Sequence, residues 1–215
     1  MKSNAALTER DSELLQVLTL RLRCLGVQQV ASHWWRGRVD AARNARARLR
    51  QLEASKLVVL AAVLARPLPD LLVPVASWAP GEPTPDFAPI AYRLKHRFTR
   101  PVVSMQVVFA SPSAACRFGG QPGRVPRRSE ATHDLGLASV YLLFLREVPT
   151  RATSWVGESQ LVREKSPTAR KVPDALIRTR RGDETVIEFG GEYSKGKLAE
   201  FHDDCAERGR RYELW

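Results

Sequence analysis

Two sets of residues in this chain have the type and spacing to do chemistry. The first is Pro173-Asp174, then thirteen residues, then Glu188, with Glu192 and Lys195 just beyond. Two carboxylates at the ends of neighbouring strands can share one divalent cation, Mg2+ or Mn2+, and a nearby ammonium can orient or activate an attacking water. Asp174 and Glu188 are therefore the candidate metal ligands, and Lys195 joins them as the third candidate catalytic residue. The second set is a run of cations. Between Arg36 and Lys56 stand seven basic residues against two acidic ones. Arg43, Arg46 and Arg50 recur at spacings of three and four, which puts them on one face of a helix. Guanidinium forks on one face suit phosphate oxygens and the acceptor edge of guanine in the major groove. Arg93, Lys95 and Arg97 offer a second basic strip, directed at backbone phosphates.

Other groupings are weaker. His133-Asp134 at a helix start could approach a metal site, but an acid in a first turn also simply complements the helix dipole. His202, Asp203 and Cys205 share one short helix and have no fourth ligand at zinc spacing. Trp34 and Trp35 at a helix end suit core packing better than base stacking. Gly190-Gly191 followed by Ser194-Lys195 lacks the spacing of a phosphate-cradling loop.

Composition sets the frame. Of 215 residues, 34 are Lys or Arg and 23 Asp or Glu, a net charge of +11 that points to a polyanionic partner. The 44% hydrophobic and 27% charged content excludes wholesale disorder. The longest strongly apolar run, Leu57 to Ala65, is nine residues, against roughly 20 needed to span a bilayer. Three widely spaced cysteines do not make a disulfide framework. With no signal-peptide pattern at the start, these features predict a cytoplasmic protein without a membrane partner.

The elements that must position the candidates follow from the apolar pattern. Thr8 caps a first helix whose face is Leu14, Leu15, Val17 and Leu18; Gly26 ends it. A short helix spans 27–35, and a third, about 40–54, turns Ala45, Leu49 and Leu52 inward and its arginines outward. Helix, short helix, basic helix is the order of a helix-turn-helix. Residues 57–65 and 71–78 read as strands, and the prolines from Pro80 to Pro89 exclude helix or central strand. A strand is expected at 102–110, a short helix at 113–118 and a flexible linker at 121–128. The last third predicts a helix at 132–147, strands at 154–162, 175–179 and 185–189, a helix at 197–208 and a final strand at 212–215.

That last third, with Pro173-Asp174 and Glu188, resembles the PD-(D/E)xK nuclease superfamily, whose core has this helix, three-strand, helix order. Two residues after Glu188, where the motif carries Lys, stands Gly190. The wider chain resembles the replication-relaxation family. The resemblance is carried by Ala-Arg-Leu-Arg-Gln-Leu-Glu-Ala at 47–54, His133-Asp134-Leu135, Pro173-Asp174-Ala175 and Ile187-Glu188-Phe189. It implies a winged helix joined to a nuclease-like domain and a role on plasmid or mobile-element DNA. The expected fold is thus α+β: a winged helix-turn-helix over 1–100, a connection over 101–128, and a small α/β restriction-endonuclease-like domain over 129–215. The expected partner is duplex DNA, with a homodimer open. The alternatives are a metal-dependent endonuclease using Asp174, Glu188 and Lys195, and a basic protein-assembly module.

Overall fold

The computed structural model describes residues 6–97, 99–164 and 172–215. Helix α1 (Glu9–Gln16) begins at a reciprocal cap: the Asp11 amide donates to the Thr8 hydroxyl, and the Thr8 amide donates to the Asp11 carboxylate at 2.7 Å. A π-helical turn, Val17–Arg21, continues it. There follow β1 (Leu25–Gly26), α2 (Val27–Trp34), α3 (Ala41–Ala54) and β2 (Val58–Ala65). Beyond these come β3 (Ala76–Trp78), α4 (Phe87–His96), β4 (Val103–Ala110) and α5 (Pro112–Phe118). The C-terminal part runs α6 (Ala131–Glu147), α7 (Pro149–Thr153), β5 (Trp155–Gly157), α8 (Glu158–Glu164), β6 (Ala175–Arg178), β7 (Glu184–Glu188), α9 (Lys195–Glu207) and β8 (Arg211–Leu214). Among the described residues the fold is mixed α+β with two sheets. No helix among the described residues is long and apolar enough to cross a membrane.

The chain forms two compact units, Met1–Ala65 with Val102–Ala138, and Arg66–Pro101 with Ser139–Trp215. In the first, an antiparallel sheet has the order β1-β4-β2, with Leu25 opposite Val108 and Val58 opposite Ala110. The inward stripe of α3, Ala45, Leu49 and Leu52, is buried together with Leu14, Leu15, Leu18, Val30 and Val107. In the second, the order is β3-β8-β7-β6-β5, antiparallel except for the parallel pair β7 and β8. One cluster gathers Ile90, Leu94, Leu176, Val186, Leu198, Phe201 and Tyr212. Another stacks Tyr141 and Phe144 edge-on against the fully buried Trp155.

These units depart from the partition read from the sequence. Residues 66–101 leave the first unit between its two long paired strands and build the second. The strand at 103–110 is the central strand of the first sheet, where a connecting segment was expected. The expected strand at 71–78 shrinks to Ala76–Trp78 and pairs with β8, because Pro74 has no amide to donate. Pro89 does lie in a helix, as the third residue of α4, where its missing N–H has no intrahelical partner to lose. The run expected as a strand at 154–162 stops at Gly157 and continues as α8. The segment at 121–128 is held rather than free: Gln121 N–H donates to Thr19 at 2.9 Å and Gly123 N–H to Ala110 at 2.9 Å. A side chain at Gly120 would run into the Thr19 carbonyl, and one at Gly123 into the Arg23 carbonyl.

Candidate nucleic-acid interface and carboxylate pair

Helix α3 separates its two faces as its periodicity requires. Arg43, Arg46 and Arg50 are exposed, and none makes a hydrogen bond or ion pair through its side chain among the described residues. Arg48 has a different fate. Its Nε and terminal nitrogen donate to the two Asp11 oxygens at 3.0 and 2.5 Å, and it also reaches the Ala6 carbonyl at 3.1 Å. Asp11 is only 1% exposed. Burial pushes its carboxyl up, but the hydrogen bonds from Arg48 and Thr8 outweigh that and hold it below the ordinary value. One arginine of this helix thus anchors α1, and three are left to face a partner.

A stability prediction follows from this pair. Arg48→Ala leaves a buried carboxylate short of its strongest donor and should cost about 2 kcal/mol in a urea titration at pH 7. Because the folded pKa of Asp11 is depressed, the pair's contribution is present above its unfolded value, near 4, and is lost as pH falls through the lower folded value. The gap between wild type and Arg48→Ala should therefore close below about pH 4. A gap unchanged at low pH would contradict the assignment.

The second basic strip is not one outward row. Arg93 donates to the Val75 carbonyl at 2.7 Å, and Lys95 is exposed. Arg97 is turned inward, half-buried, with its guanidinium 5.0 Å from the Phe189 ring centre. Burial pulls its pKa down to about 10.

The carboxylates do face each other. Ala175 pairs with Ile187, so Asp174 and Glu188 stand one step further along the β6 and β7 ladder, on opposite strands. Asp174 accepts the Phe189 N–H at 2.9 Å. Glu188, 1% exposed, accepts the Tyr193 hydroxyl at 2.7 Å. Burial and then the Glu188 charge push the Tyr193 phenol well above its usual range. Lys197 lies 3.7 Å above the Tyr193 ring, a cation–π contact. Lys195 is the first residue of α9 and exposed, with no ion pair to either carboxylate among the described residues.

The motif position at 190 is closed by packing. A Cβ on Gly190 would stand 2.7 and 2.9 Å from the two methyls of Leu94, itself fully buried. Helix α4 thus fills the space in which a side chain two residues after Glu188 would begin. One oxygen of each carboxylate already accepts a bond from the protein, and Glu188 is shut from solvent. No third acidic, His or Cys side chain joins them among the described residues.

The remaining groupings are accounted for within the fold. Asp134 is buried 3.8 Å from Arg23, and His202 lies 3.2 Å from the Tyr212 hydroxyl. Trp34 and Trp35 are buried, the former donating to Glu13 at 2.9 Å. Burial pushes the Cys24 thiol up to about 12, so it is inert as a nucleophile at neutral pH. Sequence reasoning missed Tyr193 and Leu94. Tyr193 lies close enough to Glu188 to have been a candidate partner; no sequence signal marks Leu94, 96 positions before Gly190. Comparison of the chain with family models, with curated proteins and with solved structures gives no match.

Proposed function

We propose that this chain is a duplex-DNA-binding protein of the replication-relaxation kind, serving plasmid or mobile-element DNA. Its first unit acts as a winged helix and its second as a nuclease-like scaffold that does not cut. The observation that carries the reading is the exposed, unengaged face of Arg43, Arg46 and Arg50 on the last helix of a three-helix set. Its support is topological as well. Three helices backed by a sheet of order β1-β4-β2, in which the long antiparallel pair of β2 and β4 comes after the basic helix, suit a winged helix. Helix α6, the antiparallel strands β5, β6 and β7, helix α9 and a parallel β8 suit the nuclease-like core.

The non-cutting role rests on Leu94, which occupies the lysine position, and on Tyr193, which engages Glu188. The test is supercoiled plasmid incubated with the protein and Mg2+ or Mn2+. Retarded but intact supercoils are expected. Efficient nicking that disappears in Asp174→Ala would replace this reading with the metal-dependent endonuclease.

A further inference from the structure

We propose that the second unit carries a phosphate-backbone contact of its own, on the sheet end formed by the β6–β7 turn and the turn from α9 into β8. The inference rests on the duplex-binding reading above for its partner, and on separate residues for its site. Both turns are tight. Gly182 and Gly209 take left-handed φ of 88° and 62°, and Thr179 N–H closes onto Asp183 at 3.0 Å. The parallel register sets them side by side, since Thr185 pairs with Arg211. Asp183, Glu184, Arg208, Arg210 and Arg211 line one shared depression with the two turn glycines.

The ion pairs at this end leave three arginines over. Glu184 is held between Arg178 at 3.0 Å and Arg210 at 2.8 Å, and Asp204 holds Arg208 at 3.0 Å. Arg178 also meets Glu164 at 3.1 Å. The Asp183 carboxylate lies 3.5 Å from the Thr179 hydroxyl. Every acid that reaches an arginine here is taken, and Arg180, Arg181 and Arg211 remain exposed and unpaired among the described residues. The ion-paired arginines brace the turns; the other three present guanidinium forks to solvent.

Guanidinium forks pair with phosphate oxygens two bonds at a time. No aromatic residue stands in 179–183 or 208–211, so base stacking on single strands has no platform. No helix there enters a groove, which leaves the sugar-phosphate backbone of a duplex as the ligand. The contact also sits at the wrong end for cleavage. The ladder from Arg178↔Glu184 to Ala175↔Ile187 separates it from Asp174 and Glu188 by four residue pairs, about 13 Å at 3.3 Å per residue.

The test compares three full-length variants with wild type on a random-sequence duplex across a salt series. Arg180→Ala/Arg181→Ala/Arg211→Ala should lower the log–log salt slope by about 2.7, roughly 0.9 per phosphate, and weaken binding at least about tenfold near 0.1 M salt. Melting should be nearly unchanged, because the three side chains are exposed and make no hydrogen bond or ion pair among the described residues. The same three positions changed to Lys should restore most of the slope. An unchanged slope and affinity in the Ala variant would overturn the contact, and so would a loss that Lys fails to restore. Arg43→Ala/Arg46→Ala/Arg50→Ala, run alongside, separates the two claims. Loss there with a silent turn variant sinks this inference alone; loss only in the turn variant sinks the α3 reading and keeps this one.

Discussion

Replacing Arg43, Arg46 and Arg50 by Ala together should remove most duplex binding and leave the fold intact. The three side chains are exposed and make no hydrogen bond or ion pair among the described residues, so the stability change should stay within about 0.5 kcal/mol. Binding should respond far more. Each phosphate that is no longer neutralised lowers the salt slope by about 0.9, and each arginine reading a guanine adds about 1–3 kcal/mol on the preferred sequence. Together the three substitutions should weaken specific binding by about a hundredfold or more. Arg48→Ala provides the contrast. It should lower stability through Asp11 and leave the salt slope of the folded protein unchanged, although it lies on the same helix.

The second large effect concerns Gly190. Gly190→Lys should destabilise the second unit by about 3 kcal/mol or more, because Leu94 meets the new Cβ at once and an ammonium is driven into an apolar cluster. Gly190→Ala should cost about 1–3 kcal/mol by overpacking alone. Leu94→Ala should cost about 2–5 kcal/mol by leaving a cavity. The double variant Leu94→Ala/Gly190→Ala should lose clearly less than the two singles added, since the new methyl occupies space the leucine vacated. Strict additivity in urea titrations would contradict the packing argument. A lysine at 190 has to displace the Leu94 side chain, and a single substitution there should not create a nuclease.

Some of this was legible in the sequence because it depends on neighbours along the chain. The periodicity of Ala45, Leu49 and Leu52 fixes which way Arg43, Arg46 and Arg50 point, whatever the helix packs against. The apolar strands at 175–178 and 184–188, with a Gly-containing turn between them, bring Asp174 opposite Glu188 by local register alone. What stayed hidden depends on distant contacts. Arg48 has the spacing of its neighbours, and only the buried Asp11, 37 positions earlier, withdraws it from the surface. The prolines between Pro80 and Pro89 suggested irregular chain, yet they precede and start a helix whose Leu94 closes the site. The short strand Ala76–Trp78 joins the last strand of the chain, a pairing with no local signature. Ser154 to Val162 carries apolar residues that suit either strand or helix, and the helix wins after Gly157.

The claim that α3 lies on DNA is tested most directly by the arginine side-chain Nε–H resonances of the full chain as duplex is added. Arg43, Arg46 and Arg50 should shift and sharpen as their guanidinium groups are held by phosphate or guanine, and Arg48, already held by Asp11, should stay where it is. A duplex that binds while those three resonances remain unmoved would contradict the account.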